Sequence, residues 1–327
     1  MTEPLENIQV DAVIPWVNGN DEKWQEKINN HLENKIDFNK KKESSRFNSI
    51  GEIDIAIKSI IKFAPFFKNI YLVTDNQIPD SFNKLKELGK SSGINLEIID
   101  HKVIFKGFEE FLPCFNSRSI ESVLFKIPKL SEHYVIFNDD TFIMRETKIE
   151  DFFVNGYPVI RGKWMHFYEN QIIKNLILNF LIQLGFSKNK KRSGNKKVMQ
   201  NSAKLVGCKK FIRRFHTPIP IRKSTQINFF NKNNILENNI KHKFRHETQF
   251  IISSLTEHLE FKQNTFIFKR KTKLTYFRSY KNHFIVKLKL FWFEINKNKI
   301  FMTCQSLELA NTKSLNYVLN WLNKRIE

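Results

Sequence analysis

Residues 69–99, NIYLVTDNQIPDSFNKLKELGKSSGINLEII, read as strand, helix, strand. Asn69 to Thr74 is rich in β-branched and aromatic residues, a helix is expected from about Asp80 to Ser91, and Ile94 to Ile99 is a second apolar run. Strands separated by a helical crossover pair in parallel. Upstream, residues 8–17, IQVDAVIPWV, form an apolar run that ends at the Asn18-Gly19 turn, as a buried first strand does. A charged helix is expected over Glu22 to Lys41. Ile53, Ile57, Ile60 and Ile61 form the stripe of a helix packed on a sheet, stopped by Pro65. Downstream, Asn116 to Phe125 reads as a helix capped by Asn116 or Ser117, and His133 to Phe137 as a strand running straight into Asn138-Asp139-Asp140. This alternation predicts an α/β fold, an open, mostly parallel sheet with flanking helices, with ligands at the carboxyl ends of its strands.

After about residue 150 the pattern loosens. Ile172 to Phe186 is apolar but broken by Lys174, Asn175, Asn179 and Gln183, so it reads as an amphipathic helix and not a membrane span. Phe284, Val286, Leu288, Leu290 and Trp292 alternate with Lys287 and Lys289, which predicts a strand with one wetter face. Residues from about Phe244 through Phe250 read as the opening of a helical stretch, and Thr312 to Ile326 as a C-terminal helix. The expectation is one catalytic domain over 1–327, in which 1–150 is the α/β core and 151–327 an α+β extension that completes the site.

Hydrophobic residues make up 41% of the 327, so the chain is globular, and its 32 Phe beside 10 Gly and 9 Pro suit a packed α/β protein. Cys114, Cys208 and Cys304 lie too far apart for a zinc site or a disulfide framework and read as reduced, buried thiols. The start, MTEPLENIQV, has no basic-then-apolar run, so a cytoplasmic location is expected. The net charge of +21 is concentrated in Lys188 to Lys210 and Lys262 to Lys289. Nucleic acid, anionic lipid and a phosphate-bearing polymer satisfy such a field equally, and a Lys-rich genome would also produce it. No RNA- or DNA-binding module is recognisable, so no nucleic acid is expected as partner.

Four clusters carry chemistry. Asn138-Asp139-Asp140 puts adjacent carboxylates at a sheet edge, where they suit Mg²⁺ against a diphosphate, and is equally the makeup of an ordinary polar turn. Trp16-Val17-Asn18-Gly19-Asn20-Asp21 leaves a strand on the same rim, or is a plain strand-exit turn. His216 follows Arg213 and Arg214, and an imidazole there is either an acid/base group or structural. Arg245, in Phe244-Arg245-His246-Glu247, brings a planar fork that matches phosphate, or is a surface arginine.

In their order these blocks resemble the Stealth family, which includes bacterial capsular polysaccharide phosphotransferases. The first resembling block is Asp11 to Asp21. The second begins with Arg46 and Glu52 and runs through Ser59 to Pro65, Asn69 to Pro79, Leu112 to Ser117, Ile120-Glu121-Ser122, Ile127 to Ser131 and Phe137 to Asp140. His216-Thr217-Pro218 with Lys223 is similar to the third, and Arg245-His246-Glu247 with Gln249 to the fourth. Lys58 stands where the family usually has arginine, and Cys304-Gln305-Ser306 lacks an asparagine-aspartate that often follows the last strand.

The resemblance implies a Rossmann-like, glycosyltransferase-A-like fold and transfer of a sugar-1-phosphate from a UDP-sugar to a glycan hydroxyl, releasing UMP and building a phosphodiester-linked polysaccharide. It implies Asp139, Asp140, His216 and Arg245 as catalytic, with Asp139 and Asp140 holding Mg²⁺ or Mn²⁺. Trp16, Asn18, Gly19, Asp21, Arg46, Asn116, Arg118 and Lys223 would bind substrate. The expected partners are the UDP-sugar donor and a polyanionic glycan acceptor, with peripheral contacts to the inner face of the membrane or to capsule-assembly proteins left open. A metal-dependent glycosyltransferase releasing UDP and a basic nucleic-acid-binding protein are the alternatives.

Overall fold

The computed structural model describes residues 8–40, 43, 47, 50–170, 180, 184 and 194–327. The strands are β1 (Val10–Pro15), β2 (Phe67–Thr74), β3 (Asn95–Asp100), β4 (His133–Ile136), β5 (Thr141–Ile143), β6 (Phe153–Val154), β7 (Tyr157–His166), β8 (Lys210–Arg214), β9 (Ile219–Arg222), β10 (Ile267–Lys269), β11 (Leu274–Phe277) and β12 (Phe301–Cys304). The longer helices are α1 (Glu22–Asn29), α2 (Glu52–Phe63), α3 (Phe82–Ser91), α4 (Ser117–Ser122), α5 (Asn195–Leu205), α6 (Lys223–Lys232), α7 (Ile252–Gln263), α8 (His283–Ile295) and α9 (Thr312–Ile326).

The main sheet has the order β3-β2-β1-β4-β9. Its first four strands are parallel and β9 is antiparallel to β4. The open, mostly parallel sheet that the sequence predicts is therefore present. β1 lies at its centre, and its side chains go alternately to two cores. Val10, Ala12 and Ile14 join α2 and the Phe67-Phe137-Phe152 aromatic group on one face. Val13 joins Tyr71, Val73, Phe105 and Leu124 on the other. With both faces covered, the strand reads as a continuous apolar run, interrupted by Asp11. That carboxylate is buried and satisfied, accepting from Asn69 Nδ2 at 2.8 Å and from the Ser131 backbone N–H at 2.7 Å.

A second sheet, β11-β12-β5, continues from the acidic turn after β4. It packs between α2 and the C-terminal helices, in a cluster that joins Ile55 and Ala56 to Val286, Leu290, Val318 and Leu322. β7 carries a third group of strands, β6, β8 and β10. All three cysteines are buried and unpaired.

Three expectations are corrected. The first helix stops at Asn29, well short of Lys41, because the Asn29 side chain turns back to bond both the N–H and the C=O of Ile36 at 2.8 and 3.1 Å. Residues 284–292 are a helix and not a strand: Val286, Leu290 and Phe293 recur at helical spacing on the core, and Asn282 caps the first turn. Residues 244–250 are loop, with α7 starting at Ile252. There the Gln249 amide bonds to Asn116, Ser119 and the Asn239 carbonyl, so side-chain bonds hold the segment in place of helical ones. Most of the predicted helix at 172–186, and part of the basic stretch at 188–210, lie outside the described residues.

Phe67 is 1% exposed and meets Phe137 and Phe152 at 5.8 Å between ring centroids. Phe67→Ala should lower the unfolding free energy by about 3–5 kcal/mol. Urea denaturation checks this, and an unchanged midpoint would mean that the aromatic group does not anchor the sheet.

Candidate functional site

The carboxyl ends of β1, β2, β3 and β4 open into one cavity of about 450 Å³. Open parallel sheets bind ligands at this edge, because the strand-to-helix turns diverge there and leave a crevice. Trp16 and Val17 enter it after β1, Asp75 after β2, His101 after β3, and Asn138, Asp139 and Asp140 after β4. Asp75 is neutralised by Lys27 at 2.7 Å.

One part of the lining is acidic. The Asp139–Asp140 turn is fixed from both ends, with Thr141 N–H donating to Asn138 C=O at 3.1 Å and Cys304 N–H to Asp140 C=O at 2.9 Å. Glu52, at the start of α2, and Glu308, after β12, line the same cavity. Burial, then the Asp140 charge, raises the Asp139 carboxyl above the usual carboxylate range, and burial raises Asp140 too. Glu52 is pushed up to about 9 by burial and then by Asp139, and Glu308 is raised by burial and then by Asp140. Among the described residues none of the four is ion-paired to a lysine or arginine. The same residues contain no group of three His, Cys, Asp or Glu side chains able to hold a metal ion.

The other part is basic. Arg118 follows the α4 N-cap, is 9% exposed, and donates to the His246 carbonyl at 3.0 Å and to Asn195 Oδ1 at 3.2 Å. Arg245 reaches Ser117 Oγ at 3.0 Å, and Arg214 pairs with Glu257 at 3.3 Å. All three guanidiniums are destabilised, first by burial, and Arg118 is also pushed by Arg245, which brings it down to about 10. Glu121 sits among them, its carboxyl raised by burial and pulled back by Arg245, Arg214 and Arg118.

His216 lies between the two parts. Its ring stacks on Tyr276 with centroids 4.8 Å apart, and its carbonyl accepts from Thr303 Oγ1 at 2.8 Å, which ties it to the β5–β12 pair beside Asp140. Burial and then repulsion from Arg214, Arg278 and Arg213 lower its pKa to about 4, so the imidazole is neutral at pH 7.

Four residues that line this cavity each carry a buried polar atom with no hydrogen-bond partner among the described residues: Trp16 Nε1, His101 Nδ1, Arg118 Nε and Glu308 Oε1. Buried polar groups are nearly always satisfied, so four unsatisfied ones around one cavity point to a polar ligand.

The structure therefore brings Trp16, Arg118, Asp139, Asp140, His216 and Arg245 to one cavity. Asn18, Gly19 and Asp21 are not in its lining. Asn18 and Asp21 are held by Gln77, Asp21 caps α1, and Gln77 with the cap bonds keeps the Asp21 carboxyl low despite burial. A Cβ on Gly19 would meet the Phe47 carbonyl oxygen at 2.1 Å, so only glycine fits that close crossing. The Asn116 amide donates to the carbonyls of His242 and Phe244 and to Gln249, which braces the loop that bears Arg245. Lys223 bonds the Leu130 carbonyl beside the start of β4, at the opposite end of that strand from the cavity. Arg46 lies outside the described residues.

Sequence reasoning missed Glu52, Glu308, His101 and Tyr276 as members of the site and gave Arg214 and Glu121 no separate role. Only position after a strand end, shared by His101 and Glu308, could have signalled any of them. Glu308 supplies an acid past the last strand, where the expected asparagine-aspartate is missing.

Residues 9–35 match the family model described as Stealth protein CR1, conserved region 1, and residues 46–159 match Stealth protein CR2, conserved region 2. A capsular polysaccharide phosphotransferase of Haemophilus influenzae is 41% identical over 45% of this chain and 38% of its own length. One from Actinobacillus pleuropneumoniae is 36% identical over 48% and 42%, and an exopolysaccharide phosphotransferase of Lactiplantibacillus plantarum 38% identical over 46% and 41%. The chain thus spans about two fifths of the length of these relatives. The solved bifunctional glycosyltransferase WbbM aligns with 99% of this chain and 50% of its own at 11% identity and a TM-score of 0.48, a likeness too distant to carry an argument.

Because His216 is neutral in the folded chain down to about pH 4, unfolded chain binds its proton first as pH falls below about 6.5. The stability contributed by a neutral His216 is thus complete above that range and declines as pH falls towards 4. NMR titration should place the His216 pKa well below that of an unperturbed histidine, and inorganic pyrophosphate should raise it. An ordinary value unmoved by pyrophosphate would remove the arginines and His216 from a common anion site.

Proposed function

We propose, from the match of residues 9–35 and 46–159 to conserved regions 1 and 2 of the Stealth family, that this chain transfers a sugar-1-phosphate from a UDP-sugar to a glycan hydroxyl. UMP leaves and a phosphodiester forms within a capsular polysaccharide. The observation that carries this reading is the pairing, in one cavity, of an acidic group not ion-paired among the described residues with three arginines. A diphosphate with a divalent cation presents the complementary charges.

In this reading the acceptor oxygen attacks the phosphorus nearer the sugar, the bridging P–O bond to UMP breaks, and the hydroxyl proton passes to a base. Such transfer depends on in-line placement and charge neutralisation more than on covalent help. Arg118, Arg214 and Arg245 would hold the diphosphate oxygens. Neutral His216 would accept the proton: burial and then arginine repulsion lower its pKa in the free chain, and the donor's negative charge would offset the second of these.

The donor set fits Mg²⁺ or Mn²⁺. Mg²⁺ is commonly held by one or two carboxylates plus substrate phosphates, and here Asp139 and Asp140 offer two while Glu52 and Glu308 add negative charge. Bound there, the ion would supply charge neutralisation to the diphosphate.

Two measurements follow. With a UDP-N-acetylhexosamine panel and a glycan acceptor, nucleotide chromatography should show UMP and phosphorus NMR a diester. Asp140→Asn and Arg245→Ala should each cut turnover by at least about 100-fold. Release of UDP with a phosphorus-free glycan would make the chain a glycosyltransferase, and a folded variant with wild-type turnover would take that residue out of the reaction. Separately, burial and mutual repulsion favour protons on the carboxyl group, so Mg²⁺ binding near pH 6 should release protons. Calorimetry in buffers of different ionisation enthalpy should show this release, and Asp139→Asn should diminish it. Mg²⁺ heats that do not depend on buffer would place the ion elsewhere.

A further inference from the structure

The helix α8 has two apolar faces. Val286, Leu290 and Phe293 face inward and are fully buried against Phe277, Met302 and Cys304. On the opposite side Phe284, Ile285, Leu288, Phe291, Trp292 and Ile295 face solvent, with Phe284 70% exposed and Phe291 and Trp292 each 58%. Scattered apolar residues on a surface need no explanation, but six on one helix face form a contiguous patch of the kind that marks an interaction site.

The charges around this face have one sign. Lys287 flanks it on one side, Lys281 precedes the helix and Lys297 follows it, while Lys289 on the other side turns to the Tyr276 carbonyl. The helix has one acid, Glu294, which is neutralised by Arg325 at 2.9 Å and by Arg145 at 3.7 Å. What α8 presents outward is therefore Phe, Trp, Leu and Ile rimmed by lysine. An amphipathic helix that lies in a bilayer interface has this composition, because its aromatic and aliphatic groups enter the acyl boundary while its lysines meet anionic headgroups.

We propose that α8 docks this protein on the surface of an anionic lipid bilayer, lying flat with Phe284, Phe291 and Trp292 inserted. No helix among the described residues is long and apolar enough to cross a membrane, so the contact is peripheral. A second copy of the chain is a poorer occupant: pairing two α8 faces would bring two lysine rims together in a protein of net charge +21. Docking also has a bearing on the cavity. α8 packs on the short sheet whose Tyr276 stacks on His216, and Lys289 donates to the Tyr276 carbonyl at 3.1 Å.

The test uses the full chain and sedimented vesicles of two compositions, phosphatidylcholine alone and equal parts phosphatidylcholine and phosphatidylglycerol. Binding should be strong only to the anionic vesicles and should weaken as salt rises. Phe284→Gln/Phe291→Gln/Trp292→Gln should cut partitioning by at least about tenfold, and Lys281→Glu/Lys287→Glu/Lys297→Glu should abolish the preference for phosphatidylglycerol. The altered side chains are exposed, and unchanged thermal melting would exclude misfolding. Equal binding to both compositions, or a triple glutamine variant that binds like wild type, would overturn the proposal. So would a wild-type dimer, seen by light scattering, that the glutamine variant converts to monomer without any vesicle binding in either form.

Discussion

The constraint on which the architecture rests is the burial of β1 on both faces. A strand hydrogen-bonded on both sides and covered by two cores has no room for unsatisfied polar groups along its length, and Asp11 is admitted only because Asn69 and Ser131 saturate it. Polar chemistry is thereby driven to the ends of the parallel strands. There the side chains following β1, β2, β3 and β4 converge on one cavity, and its acidic turn continues directly into β5. The small β11-β12-β5 sheet then fixes both the turn, through Cys304, and His216, through Thr303.

A second, smaller network sets the basic part of the cavity. Asn116 caps α4 with its side-chain oxygen and uses its amide N–H groups to bind the loop at 242–249, where Gln249 accepts from Asn116 and donates to Ser119. This makes the positions of Arg118 and Arg245 interdependent, since Arg118 bonds the His246 carbonyl and Arg245 bonds Ser117. The result is a cavity in which burial weakens acids and bases alike. The carboxyls are pushed up and the guanidiniums down, as burial does to any group whose charged form loses its water.

Much of this was legible in the residues themselves. The 69–99 stretch specifies parallel pairing because its two β-rich runs are separated by a helix, and the same logic places Trp16 and Asp139-Asp140 at one edge. Such signals are local: each depends on residues within one or two turns of chain. Where two periodicities competed, local reading failed. In 284–292 the lysines at 287 and 289 impose an alternation that mimics a strand, yet Val286, Leu290 and Phe293 also recur at helical spacing, and packing against β11 and β12 decides for the helix.

By itself, then, the sequence determined where the sheet's core strands lie and that they pair mostly in parallel, the acidic turn at the end of β4 and the arginine and histidine available to meet it. Tertiary structure alone decided that Glu52 and Glu308 join Asp139 and Asp140, that Arg118, Arg214 and Arg245 share one cavity, and that Asn18 and Asp21 turn to Gln77. It also decided that six apolar side chains of α8 are left facing water. The physical reason is the same in each case: the free energy of a charge or an apolar face depends on what lies within a few ångströms of it, and those neighbours come from segments far apart in the chain.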